Sequence, residues 1–149
     1  MKTVREILLS KGNQVWTISP DSTVYDSLKL MAEKEIGAVL VSDGDNIKGI
    51  LSERDYARKI ILQGKLSKET KVSEIMSDKV IYVGLDMRTS ECMALMINKK
   101  IRHLPVMDNQ KLAGLISIGD VVKAVIDEKE FLIDQLVHYI TSTPSISAE

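Results

Sequence analysis

The chain has 149 residues, about the size of one domain, and an apolar share of 44% is enough for a packed core. Its 20 basic and 21 acidic residues are interspersed and give a formal net charge of −1, which excludes the strongly basic surface that nucleic acid or a membrane surface attracts. The only cysteine, Cys92, excludes an internal disulfide. Without a signal-like apolar run or a stretch of membrane-spanning length, the sequence predicts a cytoplasmic protein.

The first half of the chain alternates between helical and extended apolar patterns. Residues 4–9 have the spacing of a short helix, and residues 15–18 form a predicted strand. Apolar residues at helical spacing over 24–34 predict an amphipathic helix. Two apolar runs then flank the turn residues 43–46 and predict a hairpin, which a second helix follows at residues 53–62.

The same order of elements starts again after a polar linker. Positions from the first strand to the second helix match without a gap, at a constant offset of 65, the difference between 49 and 114. The matched pairs include Gly49 with Gly114, Ser52 with Ser117 and Asp55 with Asp120. This predicts an α/β (α+β) fold made of two β-α-β-β-α repeats. Because one unit alone buries little apolar surface, we expect the two to pack about a pseudo-two-fold axis.

The repeat sets the predicted domain boundaries. A first domain with its N-terminal helix covers residues 1–63, a linker 64–71, a second domain 72–126, a C-terminal helix 127–142 and a disordered tail 143–149. The C-terminal helix carries Phe131, Leu132 and Leu136, more apolar residues than one packed surface needs. We therefore expect a homodimer that uses these side chains.

Each repeat places Ser-x-x-Asp where a strand runs into a helix. The serine hydroxyl and the carboxylate can form a capping box, which by itself accounts for such a motif. The same groups suit a nucleoside, because a carboxylate accepts hydrogen bonds from two ribose hydroxyls and a hydroxyl bonds sugar or phosphate oxygen. Ser52 with Asp55 and Ser117 with Asp120 are therefore candidate ligand sites, and capping is the structural alternative.

The tandem motifs carry a family resemblance. Two units that each end in Gly-apolar-apolar-Ser-x-x-Asp, together with Ile101-Arg102-His103-Leu104-Pro105-Val106-Met107-Asp108, resemble a pair of cystathionine-β-synthase (CBS) domains, also called a Bateman module. The resemblance covers nearly the whole chain and is strongest to stand-alone CBS-pair proteins. It implies interdomain clefts that bind adenosine ligands (AMP, ATP, NAD or S-adenosylmethionine), modules commonly paired into a disc, and a regulated partner protein that the sequence does not identify.

The resemblance also assigns roles to individual residues. It implies that the first strand of each repeat receives adenine, through Thr17 and Ile18 in one cleft and Tyr82 and Val83 in the other. Core and sheet-edge packing is the alternative for these four. Arg102 and His103 are placed near phosphate, with a solvated surface charge and a hydrogen-bonded strand residue as their alternatives.

The two predicted sites are not identical. The positions that match Arg102 and His103 are Gly37 and Ala38, and Arg54 in the first repeat matches Gly119 in the second. We therefore expect the two clefts to differ in affinity or in ligand.

The sequence gives little support for catalysis. Cys92 lies among apolar residues of a helix and is predicted to be a core thiol, and neither His103 nor His138 is near it in sequence. No zinc spacing and no phosphate-binding glycine loop is present, so no catalytic residue and no metal site is predicted. We expect a regulatory nucleotide-binding module and not an enzyme. The alternative is a constitutive assembly module whose clefts stay empty.

Overall fold

The computed structural model of the chain describes residues 2–142. Within this range the chain forms two compact units, and one of them is Gln14–Tyr82. The other combines the N-terminal segment up to Asn13 with the chain from Val83 onward. The units therefore cut across the sequence repeats, since the helix that precedes the first repeat belongs with the second. The predicted tail, residues 143–149, lies outside the described residues.

Each unit holds a three-stranded sheet of the same topology. The middle strand pairs parallel with the first strand and antiparallel with the third. In the first sheet the strands are β1 (Thr17–Ile18), β2 (Ala38–Asp43) and β3 (Asn46–Ser52), and in the second they are β4 (Val83–Gly84), β5 (His103–Asp108) and β6 (Lys111–Ser117).

The helices lie between and after these strands. They are α1 (Val4–Lys11), α2 (Val24–Lys34), α3 (Glu53–Tyr56), α4 (Val72–Ile75), α5 (Thr89–Lys99) and α6 (Ile118–Ser142), and a π-helical turn at Ala57–Ile61 continues α3. The long helices α2 and α5 both end on a residue in the left-handed conformation, Glu35 at φ 54° and Lys100 at φ 55°. The helix ends thus repeat along with the strands.

The strand register confirms the predicted duplication. Ala38 pairs with Ser52 in the first sheet and His103 with Ser117 in the second, so that both pairs differ by the offset of the sequence repeat. A register irregularity follows the buried Val41 in one hairpin and Val106 in the other. The two hairpins therefore pair their strands in the same way, and they share this irregularity, as expected from the repeated spacing in the sequence.

The core of the Gln14–Tyr82 unit lies between its sheet and the helices of the same unit. Its buried members are Val24, Met31, Val39, Val41, Leu51, Ile60, Val72 and Ile75. Two of these, Val72 and Ile75, belong to the short helix α4, which covers β3. In the other unit α1 holds the equivalent place on β6, with Val4, Ile7 and Leu8 buried. A burial of this kind stabilises each side chain by about 1.5 to 3 kcal/mol.

Three details differ from the sequence-based elements. The strand predicted over residues 15–18 is limited to Thr17–Ile18. Tyr82 and Arg102, both predicted to lie on strands, directly precede β4 and β5. The second repeat's last helix and the predicted C-terminal helix are one continuous helix, α6, without a break near residue 126.

Among the described residues, no helix has both the length and the apolar character needed to cross a membrane.

Candidate functional site

The Ser117-to-Asp120 turn connects β6 to α6. The Asp120 backbone N–H donates to Ser117 Oγ at 3.2 Å, and the Ser117 backbone N–H donates to Asp120 Oδ2 at 2.8 Å. This reciprocal pair is the capping box that the motif predicts. The Asp120 side chain retains 24% of its exposure, so its carboxylate is still accessible from solvent.

The first repeat builds the same turn between β3 and α3. Asp55 N–H donates to Ser52 Oγ at 3.2 Å, and Ser52 N–H donates to Asp55 Oδ2 at 2.9 Å. The Ser52 hydroxyl also donates to Asp55 Oδ2 at 3.1 Å. With 20% of its side chain exposed, Asp55 is accessible to nearly the same extent as Asp120. The capping interpretation is therefore confirmed in both repeats, and capping leaves part of each carboxylate available to a further donor.

A lysine from a distant part of the sequence reaches the second turn. Lys11, the last residue of α1, places Nζ 2.5 Å from Asp120 Oδ2 and donates to the Leu115 carbonyl at 2.8 Å. Lys11 and Asp120 are 109 positions apart in sequence. Because both belong to the unit that contains β6, the packing of α1 on this sheet brings them together.

In the first repeat the lysine comes from the same helical segment as the aspartate. Lys59 lies in the π-helical turn, with Nζ 3.3 Å from Asp55 Oδ1, and it donates to the Ile75 carbonyl of α4 at 2.9 Å. The position that matches Lys59 in the second repeat is Ala124. Each aspartate thus faces one lysine, but the two lysines come from different places in the chain.

Charge and burial shift two titratable groups beside the second turn. Burial by itself raises the pKa of Asp120, but the hydrogen bonds from Lys11 and Ser117 and the charge of Lys11 outweigh it and hold this pKa below its ordinary value. Burial lowers the pKa of His103, the positive charges of Lys11 and Arg102 lower it further, and Asp120 partly opposes them. The ionised Asp120 and the neutral His103 are therefore the favoured forms near neutral pH.

The structure gives Gly37 and Arg102 matching backbone roles. The Gly37 carbonyl accepts the Glu53 N–H at 3.0 Å, and the Arg102 carbonyl accepts the Ile118 N–H at 2.8 Å. These bonds satisfy the first amide of the helix after each hairpin. The Arg102 side chain is exposed, whereas Arg54 on α3 is half-buried. Neither arginine has a matching side chain in the other repeat, because the matching positions are Gly119 for Arg54 and Gly37 for Arg102.

The remaining predicted site residues divide between the two units. Thr17 is exposed and Ile18 half-buried on β1, and Ala38 is buried opposite Ser52. Val83 is buried on β4, and Tyr82, which is 41% exposed, is the last residue of the other unit. Apolar packing accounts for Ala38 and Val83 directly.

Sequence reasoning missed the two lysines. The spacing of four residues between Asp55 and Lys59 on a helical segment is a signal for an ion pair and could have identified Lys59. No local signal points from Lys11 to Asp120. The sequence pattern indicates only that Lys11 is a favourable residue at the C-terminal end of a helix.

A cavity of about 120 Å³ lies between α1 and the first turns of α6, next to the second turn. Its lining residues are Lys2, Glu6, Ile7, Ser10, Lys11, Asp120, Lys123, Ala124 and Asp127. Lys2 Nζ lies 3.8 Å from Asp127, and Lys11 pairs with Asp120, so opposite charges are already paired in its wall. Among the described residues, no group of His, Cys, Asp and Glu side chains has a metal-binding arrangement.

Cys92 is fully buried on α5, as predicted for a core thiol. Burial, followed by the nearby charge of Glu91, raises its pKa to about 11. A thiol with this pKa is almost entirely protonated near neutral pH, and the thiolate is the nucleophilic form.

Comparison with known proteins establishes the family. The family model for the CBS domain matches twice, at residues 4–62 and 72–127. The chain belongs to the CBS-domain family. The pair of CBS domains covers most of the sequence, as the tandem Ser-x-x-Asp motifs predicted, and its fold is that of CBS-pair structures.

The chain is similar to other members of this family. It is 40% identical over 148 residues to the mitochondrial CBS domain-containing protein CBSX3 of Arabidopsis thaliana. This alignment covers 93% of this chain and 71% of the Arabidopsis protein. A putative signal-transduction protein with CBS domains from Burkholderia ambifaria has 56% identity and a TM-score of 0.82, over 85% of this chain and 95% of that structure. A hexameric CBS-CP12 protein from bloom-forming cyanobacteria has 25% identity and a TM-score of 0.74, over 96% and 90%. CBS-pair modules are in general regulatory and ligand-binding, and this general description applies to the chain.

Proposed function

We propose that this CBS pair is a regulatory module that binds an adenosine ligand, AMP, ATP, NAD or S-adenosylmethionine, at the Ser-x-x-Asp turn of each repeat. The observation that carries the proposal is the accessible carboxylate that both repeats hold at the same register. In each turn a serine fixes one carboxylate oxygen, Oδ2, through its backbone N–H. Fixing the carboxylate in advance lowers the side-chain entropy that the protein loses when a ligand binds.

The chemistry of the turn suits a ribose. A carboxylate has about four lone-pair sites, and the turn with its lysine uses only some of them, so adjacent sugar hydroxyls can still donate. Hydrogen bonds to a charged acceptor are worth about 1.5 to 3 kcal/mol each. The exposed guanidinium of Arg102 and the half-buried Arg54 supply positive charge for phosphate groups in one repeat each. Adenine is assigned to the first strand of each repeat, next to Thr17 and Ile18 or Tyr82 and Val83.

Calorimetric titration of the full chain with each of the four ligands tests the proposal. The parent chain is expected to bind at least one of them, with a stoichiometry of up to two. Asp55→Ala and Asp120→Ala should each lose one binding event, and Asp45→Ala, in the exposed hairpin turn, is the matched control that should bind like the parent. The absence of binding heat with all four ligands at about millimolar concentration would refute the proposal, since such weak binding is worth only about 4 kcal/mol.

A second candidate function, assembly, is favoured by α6. Every residue from Lys129 to Thr141 is exposed. In this segment Leu132, Leu136 and Ile140 recur at four-residue spacing and are 50%, 62% and 72% exposed. A helical segment of fewer than about 15 residues that is surrounded by water is marginal unless an apolar face is covered. We propose that a second copy of the chain covers it, giving a homodimer, because an identical stripe is self-complementary across a two-fold axis.

The assembly and ligand functions are compatible with each other. The cyanobacterial relative is named as a hexamer, which supports assembly as a property of such modules. A regulated partner protein is part of the proposal, and its identity stays open. Catalysis is not part of it, and a cytoplasmic location stays a prediction from the sequence.

A further inference from the structure

Lys11 occupies the carboxylate oxygen that a ligand of the second repeat would share. Asp120 Oδ2 already accepts the Ser117 N–H at 2.8 Å and the Lys11 ammonium at 2.5 Å. The Ser117 bond belongs to the backbone of the turn and persists as long as the helix does. With Lys11 in place a sugar hydroxyl can still donate to Oδ1, but a hydroxyl that donates to Oδ2 must replace Lys11.

We propose that Lys11 is a built-in competitor for the ligand of Asp120, so that ligand binding at this turn releases the C-terminal end of α1 after Leu8. This inference rests on the proposed adenosine site. Lys11 lowers the affinity of the second site, and the cost of displacing it couples the ligand to the position of the α1 end.

The two ends of α1 are held in different ways. At the N-terminal end, the backbone N–H groups of Val4 and Arg5 donate to the carbonyls of Met87 and Leu85, both at 2.9 Å. Near the C-terminal end, Lys11 donates to Leu115 and Asp120 through a single side chain. Leu8, which is buried over Gly114, holds the middle of the helix. Loss of the Lys11 contact therefore frees the residues after Leu8 and leaves the rest of the helix anchored.

The residue after α1 favours such a movement. Gly12 follows with φ of 98°, and its N–H closes the helix on the Leu8 carbonyl at 2.8 Å. Glycine accepts this backbone conformation and others at little cost. A change in the last turn can therefore be absorbed at Gly12.

The first repeat has no equivalent arrangement of a lysine from a separate helix. Lys59 lies four residues after Asp55 in the same helical segment, and its bond to the Ile75 carbonyl does not involve Asp55. Lys59 also pairs with its aspartate, but moving it away rearranges one side chain of the helical segment that already carries Asp55. A competitor from a separate helix is thus specific to the second site.

Calorimetry and hydrogen exchange with AMP as the probe test the inference. In an Asp55→Ala background, which leaves the second site alone, Lys11→Met should bind AMP about two- to fivefold more tightly, the factor that corresponds to losing a partly exposed ion pair. Lys48→Met, which removes an exposed lysine on β3, is the matched control and should leave the affinity unchanged. AMP should speed amide exchange at residues 9–12 when Lys11 is present. With Met at position 11 this exchange should be fast before AMP is added.

Each other outcome overturns the inference in a distinguishable way. Weaker AMP binding by the Lys11→Met variant would make Lys11 a phosphate ligand, and unchanged binding would remove the competition. Slower exchange at residues 9–12 upon AMP binding would also refute it. If the parent chain binds none of the four ligands, the proposed function and this inference fail together, whereas binding with unchanged affinity in Lys11→Met refutes this inference alone.

Discussion

The side chain of Leu8 lies directly over Gly114, and a Cβ built at that glycine would come within 2.6 Å of Leu8 Cδ2. Leu8 belongs to α1, at the start of the chain, and Gly114 to β6 of the second repeat. In the first repeat Met76 and Ser77 lie over Gly49 in the same way. The glycine that opens each Gly-apolar-apolar-Ser-x-x-Asp motif is therefore needed where a helix end approaches the sheet, and not for contact with a ligand.

A double-mutant cycle tests the contact between Leu8 and Gly114. Gly114→Ala should destabilise the fold by about 1 to 3 kcal/mol because the new methyl group overpacks the site. Leu8→Ala alone should cost about 2 to 5 kcal/mol. Because the clash involves the end of a side chain, the double variant should be more stable than the sum of the two losses predicts, as measured by urea unfolding.

The matched cycle in the first repeat should behave differently. A Cβ at Gly49 would lie 2.6 Å from the Ser77 carbonyl oxygen and 2.8 Å from Met76 Sδ. Met76→Ala removes the contacts with the methionine side chain but leaves the Ser77 carbonyl oxygen in place, so it should not rescue Gly49→Ala. Rescue of equal size in both repeats would contradict the backbone clash at Gly49.

The two aspartates should separate ligand affinity from helix capping. Removing a carboxylate that accepts ribose hydrogen bonds should weaken one binding event by about 1.5 to 3 kcal/mol, or about ten- to a hundredfold. Loss of the cap alone costs about 1 kcal/mol of stability. Since Lys11 competes only at Asp120, Asp55→Ala and Asp120→Ala should give unequal losses in calorimetry. Variants that are less stable but bind like the parent would leave only the capping role.

AMP should raise the melting temperature of the parent chain. A ligand bound only by the folded state stabilises it by about 2.7 kcal/mol at a hundredfold excess over the dissociation constant. Differential scanning calorimetry at increasing AMP concentration measures this effect. No change in Tm with AMP, ATP, NAD or S-adenosylmethionine would favour the assembly function instead.

Stability should depend on pH in two separate steps. The pKa of His103 is lowered from its ordinary 6.5, so below about pH 6.5 the unfolded chain binds more protons and stability falls as the pH drops toward the folded pKa. The pKa of Asp120 is lowered from 3.8, so its contribution is present above that pH and is lost as the pH falls through the folded pKa. Urea unfolding at a series of pH values measures both steps. His103→Gln should abolish the step near neutrality and keep the acidic one, and a neutral-range step that survives would contradict its assignment.

The apolar stripe on α6 gives a test of the homodimer. Leu132→Glu combined with Leu136→Glu should produce a monomer, because two charges would be buried in the pairing face. The control is Phe131→Glu. The sequence-based dimer face included Phe131, which is 63% exposed, but helical spacing places it beside Gln135 and His138, away from this stripe. Light scattering should give a dimer mass for the parent and for Phe131→Glu. A monomeric parent at micromolar concentration would refute the dimer.

The sequence by itself determined the duplicated unit, its α+β class and both capping turns. Regular spacing of apolar residues defines each helix and strand locally, and the offset between repeats carries this order from one copy to the other. Ser52 with Asp55 and Ser117 with Asp120 could be identified as capping boxes because capping involves neighbours three residues apart.

Only the tertiary structure decided which helix covers which sheet. The packing of α1 on β6 follows from burying Leu8 and its apolar neighbours, and nothing in the local pattern distinguishes β6 from the equivalent strand β3. That packing brings Lys11 to Asp120 across 109 positions of sequence. It also gives the two aspartates different lysine partners, because an ion pair between distant residues depends on the path of the whole chain, whereas the pair between Asp55 and Lys59 needs only one helical turn.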